Sequence, residues 1–428
     1  MPIKAIVYLV MVAIGLRATL SNPFTGIITF VWVTYIRPEV LSYGTLTQFR
    51  IPFIISLVLI LATVYRGKLK ILTLKNNTTL YFLIIMSMFM VMSTAGSIRP
   101  IEGYYWSWYM VRTVCFCYLI VLLTDTREKL FRLIYANVFA GGLLLLWGFQ
   151  QHFLGNERLE DVGGGSTATS NDIAALCLLM MAYFLSLFSN SKLKNIFIIL
   201  LISVSLMDIV FTQSRSALIA IIVMSGYLMF TYPSKYKYVL AIGGIFMFLI
   251  AASTTSIRDE SYLDRIENLF EKKMEVDESA SSRKFLWNAA IEVFHDNPLL
   301  GVGQQQFKYH TKDYSELHKN MIADAHNTFL LVLAEGGILT FTFYMLALLS
   351  FFYYTFRLNK IAKQRMDLQW VSKIAISLNA GMIGFIVTGI AHSFVTLEYY
   401  YWLLIMPCIL LNVVEKESEE IKANICEV

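Results

Sequence analysis

Residues 196–232 read IFIILLISVSLMDIVFTQSRSALIAIIVMSGYLMFTY. Two apolar runs, 196–212 and 216–232, flank a polar break, Thr212-Gln213-Ser214-Arg215-Ser216. Runs of this length and apolarity read as membrane-crossing helices joined by a tight turn. The same pattern extends outward in both directions, through 169–189, 133–153, 108–124, 79–95, 51–65 and 24–36 on one side, and 238–254, 327–356, 371–394 and 398–414 on the other. That makes about 12 crossings. Residues 5–19 are also apolar but short, and they carry Arg17, which leaves a half-span, a re-entrant piece and a tilted further crossing open. The expected fold class is all-α, a polytopic integral membrane protein.

Composition excludes the alternative of a water-soluble fold. The chain is 57% hydrophobic and only 15% charged, with a mean hydropathy of +0.60, too few charges to build a soluble surface for 428 residues. A single membrane domain over residues 1–428 is the economical reading. The formal net charge of +5 resides in loops and reports topology, so nucleic acid is not an expected partner. Cys115, Cys117, Cys177 and Cys408 lie in apolar segments and Cys426 near the C-terminus, a distribution that suggests no disulfide framework and no cysteine metal site. Lys4 and the apolar stretch after it lack a small-residue cleavage pattern, so an uncleaved anchor is expected.

Lysine and arginine collect in alternate loops: Arg66 to Lys75, Arg127 to Arg132, Lys192 and Lys194, Lys235 and Lys237, and Arg357 to Arg365. These loops are expected on the cytoplasmic face. Crossing parity then places residues 255–326, a large polar loop, on the outer face, and the acidic segment 415–428 inside as a tail. Aromatic clusters at span ends, Tyr104, Tyr105, Trp106, Trp108 and Tyr109, and Tyr399 to Trp402, read as interfacial belts rather than a sugar-stacking platform. Within the loop, residues 261–273 have an amphipathic stripe. A second helix is expected to start after the N-capping Ser281 and Ser282 and to end at Asn297-Pro298, followed by a turn over 299–306.

Three residues on the outer side have chemical potential. Arg215, at a membrane boundary away from the cytoplasmic face, either reaches into an outer vestibule as a bidentate diphosphate ligand or snorkels to lipid phosphates. Arg283, expected in the first turn of the loop helix, either completes an anion cradle with free backbone N–H groups or is a solvated charge. His326, expected at a helix N-terminus, is kept neutral by the dipole and so available as a base, or else is a packing residue beside the N-cap Asn327. His295, His310 and His318 are nearby alternatives without the same membrane-edge placement. No histidine–carboxylate spacing suggests a metal site, no Gly-rich loop suggests a nucleotide-driven pump, and no cofactor is expected. Energy would have to arrive with the substrate, as an activated lipid diphosphate would bring it.

The residues Thr212-Gln213-Ser214-Arg215-Ser216-Ala217, Ser282-Arg283 through Trp287 to Asn297-Pro298-Leu299-Leu300-Gly301-Val302-Gly303, and Ala325-His326-Asn327-Thr328-Phe329-Leu330 to Ala334-Glu335-Gly336-Gly337 together resemble the superfamily of bacterial O-antigen ligases and O-antigen polymerases. The likeness is best over residues 160–400. The stretch Asn22-Pro23-Phe24-Thr25-Gly26 through Arg37-Pro38 is similar to the N-terminal region of O-glycosylation ligases associated with exosortase systems.

The resemblance implies a metal-independent, inverting glycosyltransferase of the bacterial inner membrane with its active site facing the periplasm. It implies an undecaprenyl-diphosphate-linked glycan as donor, and lipid A core, a protein hydroxyl or a second lipid-linked glycan as acceptor. Arg215 and Arg283 would hold the diphosphate, His326 would act at the acceptor hydroxyl, and Gln213, Ser282 and Asn327 would be further substrate-binding groups. A polymerase is the alternative within the enzyme class, and a lipid-linked oligosaccharide flippase or other transporter the alternative outside it. Against transport stand the lack of a clear internal repeat and the scarcity of intramembrane acids, Asp172 and Asp208 being the main ones.

Overall fold

Helix boundaries follow the polar punctuation of the chain. The computed structural model describes residues 3–37, 50–163, 167–233, 278–311 and 323–426. Among these the regular elements are helices: α1 Ile3–Ser21, α2 Pro23–Ile36, α3 Ile51–Tyr65, α4 Leu74–Ser93, α5 Pro100–Leu123, α6 Arg127–Phe153, α7 Ser170–Ser186, α8 Lys192–Thr212, α9 Arg215–Thr231, α10 Glu278–Asp296, α11 Phe307–His310, α12 Thr328–Gln364, α13 Gln369–Gly389, α14 Glu398–Leu404 and α15 Met406–Cys426. Side chains that compete with backbone amides start several of them. Asn22 accepts from the Phe24 N–H ahead of Pro23, Thr126 accepts from Lys129, and Thr169 and Asp172 form a reciprocal capping box on α7. Among the described residues α4, α5, α6, α8, α12 and α13 are long and apolar enough to cross a membrane, with α1, α2, α3, α7 and α9 as shorter apolar helices. The protein is a polytopic all-α membrane protein.

The centre of the bundle is α7, buried continuously from Ile173 to Ser186. It packs against α13, α8, α6 and α9. Lipid offers apolar surface no worse than another helix does, so close packing through small residues must hold the helices together. Gly381 of α13 shows this: a Cβ there would lie 2.6 Å from the Cβ of Ala182. Large apolar side chains such as Leu61, Leu200, Ile219 and Leu349 are left exposed on the outer helix faces, as a lipid-facing surface requires.

Contacts between loops define two ends. At one end Lys75 pairs with Glu415, Lys416 with Asp125 at 3.6 Å, and Arg365 donates to Ser418 at 2.8 Å. Two of the basic segments that alternate along the sequence, 66–75 and 357–365, therefore meet the acidic segment at one end of the bundle, and Asp125, just before a third, pairs with its Lys416. That segment, expected as a tail from residue 415, continues α15 without interruption to Cys426.

Several expectations change. The cluster Tyr399 to Trp402 is not an interfacial belt, because α14 is enclosed by α5, α7 and α13. These side chains are buried in the core, where Tyr399 stacks on Tyr35 and Tyr400 on Phe385. Tyr104, Tyr105 and Trp108 of α5 do remain exposed. The span expected at 398–414 is two helices, since Pro407 cannot supply an amide to the preceding turn. The loop helix α10 begins at Glu278, so Ser281 and Ser282 lie inside it rather than capping it, while its end at Asp296 falls where Asn297-Pro298 predicts. The candidate helix 261–273, the candidate span 238–254 and His318 lie outside the described residues.

The span expected at 327–356 runs on to Gln364 and is broken at Gly337, whose φ of 64° and ψ of −174° are non-helical. The turn 299–303 docks into this break. Val302 and Gly303 donate their N–H groups to the carbonyls of Ala334 and Glu335, at 3.1 and 2.9 Å, and Ile338 donates to Pro298 at 2.8 Å. Carbonyls and amides freed by the helix break are thus satisfied by loop backbone. Glycine is required on both sides: a Cβ at Gly337 would lie 2.4 Å from the Leu299 carbonyl carbon, and one at Gly301 2.4 Å from that of Glu335.

Gly337→Ala is expected to destabilise the protein by about 2–4 kcal/mol through backbone strain and overpacking. Gly226→Ala in α9, where no atom lies within 4 Å of the added Cβ, should instead be neutral or stabilising by up to ~1 kcal/mol. Thermal unfolding in detergent measures both, and equal shifts would contradict this account of the break.

Candidate active site

The segment entering α12 carries the first functional side chain. Asn327 adopts an extended conformation and its side-chain oxygen accepts from the N–H groups of Phe329 and Leu330, at 3.0 and 3.1 Å. This is the N-cap that its residue type predicts. His326 precedes it with φ of 48°, a left-handed conformation that turns the chain into the helix. The next residue, Thr328, straps this segment to the turn after α13: its hydroxyl donates to the His392 carbonyl at 2.7 Å and accepts from the Phe394 N–H at 3.0 Å. Two imidazoles are brought together as a result. The His326 and His392 rings lie edge to face, with centroids 6.2 Å apart and planes at 82°.

Positive charge surrounds the pair. Burial lowers the pKa of His326 below 6.5, and the guanidinium of Arg283, from α10, lowers it further, while Asp324 acts in the opposite direction. Burial pushes His392 down to about 3, reinforced by the charges of Arg283, His326 and Arg158. Both rings are therefore neutral near pH 7. Asp324 has its own pKa raised by burial, against the pull of Lys308 and His326. Arg158 is held by the Ser170 hydroxyl at 2.9 Å, at the N-terminus of α7, and by Glu160 at 3.4 Å.

Arg215 is the first residue of α9, half-buried, behind Gln213 in a left-handed α8 cap and the N-cap Ser214. Its place follows from helix packing. The Asn379 amide of α13 donates to the Tyr227 hydroxyl of α9 at 3.1 Å, and the Tyr232 hydroxyl after α9 donates to the Leu185 carbonyl at the far end of α7. Counting up from the Tyr227–Asn379 contact, Arg215 lies about 18 Å along α9 and the end of α13 about 15 Å along its axis. Arg215 and the turn bearing His392 thus occupy one end of the bundle. The Leu159 N–H bonds the Phe211 carbonyl at 3.0 Å, joining the Arg158 segment to the same turn.

The loop is anchored to the membrane helices beside this site. The buried Glu335 carboxylate accepts from the Phe307 N–H at 3.2 Å, next to the α12 break. Lys308 and Tyr309 both donate to Glu102 of α5, at 2.8 and 2.7 Å, and Arg99 lies 4.1 Å over the Tyr309 ring.

The expectations for the site change in two respects. Arg283 and the half-buried Ser282 sit within α10, so free amides of a first helical turn do not complete a cradle around Arg283. His326, in contrast, stands immediately before a helix start, as expected. His392 and Arg158 were not foreseen as site residues. His392 was hidden inside the apolar stretch 371–394, but α13 stops at Gly389, leaving it in a turn. The signal for it is the one that marks His326, a histidine at the end of an apolar span. Arg158 is a single arginine in a short loop between two spans, and nothing in its neighbours distinguishes it.

Residues 198–345 match the model of the O-antigen ligase family, and residues 3–155 match a family of unknown function. The teichuronic acid biosynthesis protein TuaE of Bacillus subtilis (strain 168) is 25% identical over 311 residues, covering 68% of this chain. The chain spans 62% of the length of that relative. The family match begins in α8 and ends in α12, and it includes Arg215, Arg283 and His326. The chain therefore carries, at residues 198–345, the domain of the O-antigen ligase family.

Proposed function

We propose that the protein is a membrane glycosyltransferase of polysaccharide biosynthesis, taking a glycan from an undecaprenyl-diphosphate carrier and joining it to an acceptor hydroxyl at the outer face of the bacterial inner membrane. The observation that carries this reading is the gathering of Arg158, Arg283 and two neutral histidines at the end of the bundle where Arg215 also lies. The N-termini of α7, α9 and α12 point to the same end, and their dipoles favour an anion. A diphosphate suits such a place because arginines bind it bidentately and stabilise the charge it gains on leaving.

In this mechanism Arg215 and Arg283 hold the diphosphate while the acceptor oxygen attacks the anomeric carbon from the opposite face, with inversion. The O–C bond forms as the C–O bond to phosphate breaks, and the hydroxyl proton passes to His326. Neutrality of His326 suits a base, and Arg283 contributes both to holding the donor and to keeping that imidazole unprotonated. Gln213, exposed at the α8–α9 turn, and Ser282, beside Arg283, are further contacts to substrate in this reading. The match of residues 198–345 to the O-antigen ligase family supports transfer over transport. A polymerase acting on two lipid-linked units is the second reading, and the likeness to a protein of teichuronic acid biosynthesis is compatible with either.

With purified full-length protein, a lipid-linked donor and an acceptor, His326→Ala should lower transfer by ~10²–10⁴-fold. Arg215→Ala and Arg283→Ala should each lower it by roughly 10²–10³-fold. Activity at wild-type level in all three variants would exclude catalysis by this site. Long polymers formed without added acceptor would select polymerase over ligase.

The pH profile gives a separate check. A base whose pKa lies below 6.5 loses activity as pH falls through that lowered pKa, so the acid limb of kcat/KM should lie below about pH 6.5. Removing the neighbouring positive charge by Arg283→Gln should move the limb to higher pH. A limb that stays in place would separate Arg283 from the titrating group.

A further inference from the structure

The two histidines differ in a way that the family domain, ending at residue 345, does not address. His392 arrives from another part of the chain, and its position is set by backbone: the Thr328 hydroxyl bonds both the His392 carbonyl and the Phe394 N–H, which fixes the turn relative to the residue two places after His326. At a centroid separation of 6.2 Å the rings are too far apart for a direct hydrogen bond. A single hydroxyl lying between them would bridge the pair by donating to a nitrogen of one ring and accepting from the N–H of the other.

We infer that His392 is a second catalytic histidine, whose N–H holds the acceptor oxygen so that the hydroxyl proton is directed at His326. This rests on the transferase reading above. The groups facing the pair are Arg283 from α10, Arg158 from the loop before α7, and Asp324 two residues before His326. The more buried His392 lies beside two guanidinium groups, those of Arg283 and Arg158, and resists protonation, so it offers a constant N–H donor, and the proton released by the hydroxyl goes to His326. In the transfer step the hydroxyl O–H bond breaks towards His326, the oxygen bonds the anomeric carbon, and the phosphate oxygen leaves with its electron pair. His392 keeps its proton throughout.

The alternative is that His392 only fills the turn, where its ring also lies 6.0 Å from Phe394. Two variants separate these roles in purified full-length protein with a lipid-linked donor and a hydroxyl acceptor. His392→Phe keeps the bulk but removes the donor, and it should lower kcat/KM for the acceptor by about 10- to 100-fold, leaving the donor KM and the position of the acid limb unchanged. His392→Gln restores an N–H and should recover most of the loss. Wild-type rates in His392→Phe, a loss in His392→Gln as deep as in His392→Phe, or disappearance of the acid limb in either variant would overturn the assignment while leaving the transferase reading intact. No transfer by the wild-type protein would instead overturn the transferase reading and this inference with it.

Discussion

The site depends on a break in one helix. At Gly337 α12 leaves helical geometry, and the turn 299–303 supplies the hydrogen bonds that the interrupted backbone requires. Within a membrane an unsatisfied amide or carbonyl costs several kcal/mol, so this exchange locks loop and helix into a single arrangement. Both partners carry glycine where the backbones meet, and in each direction a Cβ would collide with a carbonyl carbon. The short helical stretch from Thr328 to the break then stands as a pedestal with His326 at its head, and α10, joined directly to the docking turn, places Arg283 beside it.

From that constraint the electrostatics follow. Loop residues with charged side chains would normally remain solvated, but docking half-buries His326 and Arg283 and brings them against His392 and Arg158. Burial and neighbouring cations act in the same direction on an imidazole, keeping it neutral, whereas the same cations favour an anionic ligand. One cluster therefore meets two chemical requirements, a base that is not protonated near neutral pH and a positive field for a diphosphate. The buried Glu335, whose backbone carbonyl and side-chain carboxyl bind the loop at Gly303 and Phe307, ties the loop to α12 beside the break.

Hydrophobicity locates helices in a membrane protein but does not say which are central. Ser170–Ser186 is apolar around its circumference and is enclosed by protein, while Ile51–Tyr65 is just as apolar and presents Leu57 and Leu61 outward. The distinction comes from small residues such as Gly381, which admit close neighbours to α7. The Tyr399 to Trp402 cluster illustrates the same point: aromatic residues at a span end look like a belt until their neighbours enclose them.

By itself the sequence determined the all-helical membrane architecture, the alternation of basic loops, the punctuation at Asn297-Pro298 and Asn327, and the three candidate residues Arg215, Arg283 and His326, because hydropathy, charge and capping are local properties. The tertiary structure decided which of these meet and what joins them. The helix break at Gly337, the enclosed position of α14, and the inclusion of Arg158 and His392 in the site all depend on contacts between residues far apart in the chain. Thr328 and His392 are the simplest case: 64 positions separate them, no periodicity links them, and a single hydroxyl between two turns brings the second histidine to the first.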